Sequence, residues 1–542
     1  MNAHDLLSGL CPPGEALAFA AGIGNRRYHV SRLTWRPAGK GARLRIDGVI
    51  DQAALQMGSG LVFDRIDLTL NSTCRPRRYV RSSGRQRLEI RFGETMAEAR
   101  LADGSSFQIA AAPAVVLDSN APLLTALALR FMRAQSLTVA PAFIAGQLLP
   151  IDYRLTATAQ GWCSSLEEEI ALDGHGRLCA LSMPRQGLTV WPASATDLPL
   201  LQRARRRTRL ARPGVARPAS ASPATGVREF AVASPSGTVT ALARVPAGAV
   251  RGRVLLLAGS GRVDRFGRAG GVDTGLGQIA DGLAASGFLA MSADQPGAGD
   301  SPLGHTALTR SFAEEVADSA ALLDAALALK EAPGPIAIVA HSLGGLVALA
   351  LAAARPDDIA ALVLLGVPGR PLPELMEDQL RWIGARRGLD PATISEQVAE
   401  HRQLMTAIRS VTDWTPASVP ERFLAQRRLR DWLIGYVDLD PAAMLAATRG
   451  PVFLAQGALD VQVDAQADLG RLAQARPGLR TRCYAKLNHL FRAATADEGL
   501  DQYQSDTGRV ATELIDDLVT FLEQAYAAPG PPVRASEGHP LN

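Results

Sequence analysis

One stretch, from Ile336 to Ala348, restricts the fold of this chain more than any other. An apolar run rich in β-branched residues stops at Ser342, and an apolar helical pattern begins at once after it. This order predicts a strand, a sharp turn and a helix, with the serine hydroxyl exposed at the edge of a sheet, as in a nucleophile elbow. An ordinary strand-to-helix turn is the alternative.

Small residues surround this serine. Gly344 tolerates a close approach of strand and helix because it has no Cβ. Ala340 stands where the G-x-S-x-G pattern has its first glycine, and alanine is the next smallest residue. If the turn is an elbow, Ser342 can form a covalent intermediate with an acyl group.

Composition sets broad limits. A chain of 542 residues is too long for one hydrophobic core and predicts two or three domains. The net charge of +4 is small for this length and does not point to a nucleic-acid partner. Five scattered cysteines without C-x-x-C spacing indicate structural thiols rather than metal ligands or disulfides.

We expect neither a targeting signal nor a membrane span in this sequence. No run of 18 or more apolar residues is present, so we expect no membrane span. The first residues, Met1 to Asp5, lack a basic segment, and Cys11 follows Leu10 rather than a small residue, so a secretory or lipoprotein signal is a poor match. We therefore expect a cytoplasmic protein.

Changes in residue pattern predict the domain boundaries. We expect a β-rich domain of unassigned function over residues 1–200, an Arg/Pro/Ala/Ser linker over 201–225, an α/β domain over 226–530 and a flexible tail over 531–542. The linker arginines have no aromatic residues among them, which favours a solvated linker over a nucleic-acid contact.

Residues 1–200 have mainly strand patterns. Apolar and polar residues alternate over 43–50 and 87–92, and an Asp-Gly pair within 172–178 predicts a hairpin. A helical pattern over 122–131 interrupts them. No catalytic constellation is evident in this part of the sequence.

After the linker, strands alternate with helices. The apolar strand patterns cover 253–258, 287–294, 359–366 and 451–457. Such alternation is typical of a doubly wound, mainly parallel sheet covered by helices. Between about 371 and 449 only helical patterns occur, which predicts a helical cap inserted over the carboxyl edge of the sheet.

A serine nucleophile needs a base, and His489 is the candidate. It follows a short strand-like stretch and precedes the final helical pattern, so a loop can place its imidazole over the sheet edge. The alternative is an ordinary surface histidine. His341 adjoins the serine but is expected to point the other way, and His401 lies within the cap pattern.

An acidic residue must orient the base, and Asp460 follows a late strand pattern at the right place. Asp464 is the competing candidate, and a plain loop aspartate is the third interpretation. The order Ser342, Asp460, His489 is the one expected for an α/β-hydrolase fold.

Two backbone N–H groups are needed for an oxyanion hole. Leu343 directly follows the nucleophile, and Ser260 lies between two glycines just past an early strand pattern. A phosphate-binding loop is the alternative for residues 259–261, but no Gly-Lys-Ser/Thr follows.

The segment from about 225 to 530 resembles the bacterial α/β-hydrolase group of esterases and serine-aminopeptidase-like hydrolases that carry a G-S-G-P-x-D-R-D element. Residues 259–267 match this element without its proline and second aspartate, and residues 294–301 match D-x-R-G-x-G-x-S with proline for arginine. Residues 369–372 and 488–489 are further landmarks.

The resemblance implies attack by Ser342 on an acyl carbonyl, proton transfer to His489 and hydrolysis of an acyl-enzyme, without metal or organic cofactor. A carboxylic ester of a small molecule is the expected substrate. An acyltransferase or thioesterase, a serine exopeptidase and a non-catalytic binding module are the alternatives. The sequence does not indicate the oligomeric state. Apolar cap residues either line an acyl pocket or only pack the cap: Leu375, Met376, Leu380, Trp382, Ile383, Leu404 and Met405.

Overall fold

The computed structural model describes residues 2–527, with gaps. Outside the description lie residues 1, 24–25, 52–60, 84–85, 102–105, 119–120, 174–176, 185–186, 195–196, 202–224, 270–271, 302–309, 416, 425, 496–507 and 528–542. The predicted linker falls almost entirely on these residues, as do the tail and the glycine of the 172–178 hairpin. The proposed domain boundaries therefore stay predictions.

The N-terminal region is built around one sheet of 15 strands in the order β8-β7-β6-β5-β4-β3-β2-β1-β15-β14-β13-β12-β11-β10-β9. Its pairings are antiparallel except between β9 and β10. The strands are β1 Ala16–Ile23, β2 Arg26–Ala38, β3 Gly41–Asp51, β4 Leu61–Leu70, β5 Pro76–Ser83, β6 Gln86–Phe92, β7 Met96–Leu101, β8 Ser106–Ala110, β9 Val115–Leu117, β10 Val139–Ile144, β11 Leu149–Thr158, β12 Gly161–Ser164, β13 Glu169–Leu172, β14 Leu178–Met183 and β15 Leu188–Pro192.

Two helices pack on this sheet, α1 (Ala3–Ser8) and α2 (Pro122–Ala134). Eight apolar residues of α2 are buried in the same cluster as the inward side chains of the strands. The buried Glu168 accepts hydrogen bonds from the hydroxyls of Thr125 on α2 and Tyr153 on β11, at 3.0 and 2.6 Å. The expected β-rich region with one long helix is therefore present.

The C-terminal region has an eight-stranded sheet in the order β16-β17-β21-β18-β22-β23-β24-β25. The first two pairings are antiparallel and the others are parallel, as predicted for a mainly parallel sheet. The strands are β16 Thr225–Ser234, β17 Gly237–Pro246, β18 Gly252–Leu257, β21 Phe288–Ala293, β22 Ile336–His341, β23 Ile359–Leu365, β24 Val452–Gly457 and β25 Arg480–Tyr484, and a small hairpin has β19 Arg268–Ala269 and β20 Val272–Asp273.

Helices cover both faces of this sheet. Ile338 and Ala340 of β22 join one apolar cluster, and Ala337 and Val339 join the other, because side chains alternate along a strand. The helices are α3 Leu276–Ala285, α4 Phe312–Leu327, α5 Gly344–Ala354 and α12 Thr512–Ala527, with α11 Gly470–Ala475 between β24 and β25 in the sequence.

The segment between β23 and β24 is helical, as the sequence predicts. It contains α6 Leu372–Arg386, α7 Pro391–Ser410, α8 Glu421–Leu424, α9 Arg427–Leu433 and α10 Pro441–Ala446. Asp390 caps α7 by accepting from two backbone N–H groups, and Pro391 takes the first helical position, where its missing N–H costs nothing. Within the described part of the chain, no helix has the length and apolarity needed to cross a bilayer.

The hydroxyl of Tyr526 hydrogen-bonds to the backbone at the starts of two central strands. It accepts from the backbone N–H of Ala337 at 2.9 Å and donates to the carbonyl of Arg253. The C-terminal helix thus joins β18 to β22, the strand that ends at Ser342.

We expect Tyr526→Phe to lower the free energy of unfolding by about 1–3 kcal/mol, because it removes the acceptor of the N–H of Ala337 and the donor to the carbonyl of Arg253. Urea denaturation measures this loss. Tyr484→Phe is the matched control: its hydroxyl donates to Asp517, which keeps its bonds to Arg480 and Arg482, so a loss of roughly 1 kcal/mol or less is expected. Equal losses in both variants would contradict the role given to Tyr526.

Candidate active site

Ser342 occupies a strained turn between β22 and α5. Its φ is +53°, in the left-handed region that non-glycine residues seldom adopt. Its backbone N–H donates to the carbonyl of Leu365 on β23 at 2.9 Å, which holds the turn against the neighbouring strand. This is the local geometry predicted from the residue pattern, and strain of this kind collects at functional sites.

Two glycines allow the turn to form against the end of β18. A Cβ on Gly344 would lie 2.4 Å from the carbonyl oxygen of Ala258. A Cβ on Gly259 would lie 2.8 Å from the Cβ of Ser342. Both separations are too short for real atoms, so the chain needs glycine at each position for the loop after β18 to contact the serine.

His489 and Asp460 form a buried pair at the same edge of the sheet. The Nδ1 of His489 lies 2.6 Å from Oδ2 of Asp460, and the two side chains are 3% and 0% exposed. The same carboxylate accepts from the side-chain amide of Gln456 at 2.7 Å and from the backbone N–H groups of Gln462 and Val463 at 2.7 and 3.0 Å. These donors fix the carboxylate, which in turn sets the orientation of the imidazole.

Gly366 shows how this pair relates to Ser342. It follows Leu365, which accepts the hydrogen bond from the serine N–H. A Cβ on Gly366 would lie 3.2 Å from Nδ1 of His489 and 3.6 Å from Oδ2 of Asp460. The candidate nucleophile, base and acid therefore lie at the same edge of the sheet, where β22, β23 and β24 end.

The other candidate acid and bases lie in different surroundings. Asp464 accepts from the N–H of Ala467 at 2.6 Å, as the cap of a short helical turn. His401 is buried in the cap, where its Nε2 lies 3.1 Å from the carbonyl of Pro373.

His341 contacts the loop that carries His489. Its Nε2 lies 2.9 Å from the carbonyl oxygen of His489, and the two rings are 4.6 Å apart. Burial, and then the neighbouring His489, lower the pKa of His341 to about 3, so it is neutral near pH 7.

The two candidate oxyanion donors lie on adjoining segments. Leu343 immediately precedes α5, and Ser260 is an exposed residue of the loop after β18. Gln295 anchors that loop, because its side-chain amide donates to Gly259 at 3.2 Å and accepts from Val263 at 2.9 Å. The loop can therefore hold a backbone N–H near the serine.

Arg265, within the loop element that resembles G-S-G-P-x-D-R-D, is buried and is the centre of an ionic network. Its guanidinium contacts Asp294 at 2.8 Å, Asp300 at 2.5 Å and Glu229 at 3.1 Å. Its backbone N–H also donates to Asp294 at 2.7 Å. The network joins the loop after β18 to the loop after β21 and so supports the candidate oxyanion segment.

We expect Asp294→Asn to destabilise the protein by about 3 kcal/mol, because the carboxylate is 0% exposed and its loss leaves a buried guanidinium less compensated. Asp300→Asn removes a partner of the same arginine that is 75% exposed, so we expect a loss of about 0.5 kcal/mol or less. Thermal unfolding of both variants measures the difference. Similar losses in both variants would contradict the assignment of Asp294 as the main support.

The start of the cap is fixed to the segment that follows Asp460. The carboxylate of Asp468, which is fully buried, accepts from the backbone N–H groups of Gly369 and Arg370 at 3.0 Å each. The guanidinium of Arg370 binds the same carboxylate at 2.9 Å. A second contact, from Tyr436 of the cap to Glu315 on α4 at 2.7 Å, fixes the other end.

The apolar residues of the cap divide into two groups. Leu375, Leu404 and Met405 are buried in the same cluster as Leu343, where they pack the cap on the sheet domain. The side chains of four others are partly exposed: Met376, Leu380, Trp382 and Ile383. Packing is thus the observed role of the first group.

The described residues contain no group of three or more His, Cys, Asp or Glu side chains arranged to hold a metal ion. The five cysteines are free in the structure.

Comparison with known proteins finds a family match within the C-terminal region. Residues 272–413 match the family model described as serine aminopeptidase, S33. The resemblance to α/β hydrolases of the esterase and serine-aminopeptidase type is thereby confirmed for this region. This class covers hydrolytic enzymes.

Individual proteins are similar to only part of this chain. The chain is 36% identical over 100 residues to the lipase LipV of Mycobacterium tuberculosis, a match that covers 15% of this chain and 36% of that lipase. The chain is also similar to the esterase Pf2001 of Pyrococcus furiosus, at 12% identity and a TM-score of 0.35 over 55% of this chain and 93% of that one. For a proline iminopeptidase of Mycobacterium smegmatis the identity is 15%, with a TM-score of 0.37 over 56% of this chain and 99% of that one.

Proposed function

We propose that this protein is a serine hydrolase that cleaves a carboxylic ester or thioester of a small molecule through an acyl-enzyme. Ser342 is the nucleophile, His489 the base and Asp460 the residue that orients the base. The observation that supports the proposal is that the strained Ser342 turn and the buried His489–Asp460 pair lie at one sheet edge.

The geometry suits each step of acyl transfer. Since Nδ1 of His489 donates to Asp460 at 2.6 Å, Nε2 is the nitrogen that takes the proton when the serine oxygen attacks the acyl carbon. The carboxylate then stabilises the imidazolium. The N–H groups of Leu343 and Ser260 stabilise the oxyanion of the tetrahedral intermediate. Protonation of the leaving group by His489 completes the acyl-enzyme, and water activated by the same residue releases the acid.

Labelling of the nucleophile is the first test. A fluorophosphonate probe should modify the wild-type protein at Ser342, because an activated serine attacks its phosphorus, and Ser342→Ala should not be labelled. Mass spectrometry of the labelled peptide locates the site. Labelling that persists in the Ser342→Ala variant would exclude Ser342 as the nucleophile.

Asp460 and Asp464 provide a matched pair of variants. We expect Asp460→Asn to lower kcat on a p-nitrophenyl ester on the order of 10⁴-fold, because the histidine then takes the wrong tautomer. Asp464 accepts a hydrogen bond from the N–H of Ala467 at the start of a helical turn, so we expect kcat of Asp464→Asn to stay within about threefold of wild type. A large loss of kcat in Asp464→Asn together with nearly unchanged kcat in Asp460→Asn would make Asp464 the orienting residue.

Esters and peptides are the substrate classes to compare. The description of the matching family as serine aminopeptidase favours peptide amides as the second candidate. Assays with p-nitrophenyl esters of graded chain length, and with aminoacyl p-nitroanilides, distinguish the two. Faster turnover of the anilides would replace the esterase assignment. Formation of a hydroxamate when hydroxylamine is added at constant ester consumption would report the acyl-enzyme that both reactions share.

A further inference from the structure

His341, the residue before the proposed nucleophile, packs against the proposed base. The ring centroids of His341 and His489 are 4.6 Å apart and inclined by 52°. Nε2 of His341 lies 2.9 Å from the backbone carbonyl oxygen of His489. Because a carbonyl oxygen only accepts hydrogen bonds, Nε2 of His341 carries the proton and donates it.

This bond joins two segments that are 148 residues apart in sequence. The loop of His489 takes its shape from Asn488, whose side-chain oxygen accepts from the N–H groups of Leu490 and Arg492 at 2.9 and 3.1 Å. Those bonds lie within the loop and do not set its distance from the nucleophile.

Contacts to two different strands set that distance. The acid loop is tied to the base loop by the His489–Asp460 bond and by the backbone bond from Leu459 to Leu487 at 2.9 Å. The nucleophile strand is tied to the same loop by His341. The position of the His489 imidazole is therefore fixed by bonds to the loop of the acid and by a bond to the strand of the nucleophile.

We infer that His341 is a positioning residue, which holds the loop of His489 at the distance from Ser342 that proton transfer requires. The inference rests on the function proposed above. His341 is neutral near pH 7, so it adds no positive charge beside His489 when that ring becomes an imidazolium. A displacement of about 1 Å in such a contact is enough to cost on the order of 10²-fold in rate.

Variants of His341 separate this role from simple packing. His341→Gln keeps an N–H donor at the reach of Nε2, whereas in His341→Asn the amide ends at the level of Nδ1, and His341→Ala removes the donor. We expect kcat for a short p-nitrophenyl ester to fall about 10²-fold in the Ala and Asn variants, with KM within about threefold, and to recover at least tenfold in the Gln variant.

His401 offers the matched control. It is a buried histidine whose Nε2, like that of His341, donates to a backbone carbonyl, that of Pro373 at 3.1 Å, but within the cap. We expect His401→Ala to lower the melting temperature while kcat stays within about threefold of wild type. A loss of kcat in His401→Ala equal to that in His341→Ala would assign both effects to general destabilisation and overturn the inference.

A readout independent of turnover completes the test. The Nδ1 proton shared with Asp460 should give a downfield NMR resonance, assigned by its loss in His489→Gln. We expect the resonance to persist in His341→Gln and His401→Ala and to shift or broaden in His341→Ala. An unchanged resonance in His341→Ala, or equal kcat in the Gln and Asn variants, would refute the role. Failure of wild-type labelling by fluorophosphonate would instead refute the proposed function, and the resonance would still report whether His341 holds His489.

Discussion

The close contact between the end of β18 and the start of α5 is the constraint on which the site depends. Gly344 lies against the carbonyl of Ala258, and Gly259 lies against Ser342, at separations that exclude any side chain. The helix starts this close to the sheet, and Ser342 between them has a positive φ. The proposed roles of the acid and base loops depend on their positions relative to this turn.

Buried carboxylates hold the loops that surround the turn. Asp294 binds Arg265 of the loop after β18, Asp468 binds Arg370 at the start of the cap, and Asp460 binds His489. In each pair the carboxylate is fully buried and accepts further backbone or side-chain donors, which offset the cost of removing the charge from water. Polar loops are thus kept in place at the edge of an apolar sheet.

Much of this arrangement follows from the sequence, because the informative residues sit at points where one type of local structure ends and another begins. The strand–turn–helix at Ser342, the helical insertion before β24 and the placement of Asp460 and His489 after late strands depend on periodicity and order along the chain. The Asp460–His489 contact is found where that order places it, whereas the catalytic roles of the two residues stay predictions.

The contact of His341 lies beyond the reach of this reasoning. Alternation along β22 places its side chain on the face of Ala337 and Val339, but which loop covers that face is a property of the tertiary structure. The same holds for Asp468, whose arginine partner is about 100 residues away in the sequence. No sequence motif at His341 or Asp468 indicates which residue it contacts.

The positive φ of Ser342 also limits which nucleophiles this scaffold can accept by substitution. A β-branched side chain is strongly disfavoured at φ +53°, so threonine is excluded although it offers the same hydroxyl. Cysteine and aspartate are unbranched at Cβ and meet no such barrier. The backbone of this turn therefore permits a thiol or carboxylate nucleophile in place of the serine but not the secondary alcohol of threonine.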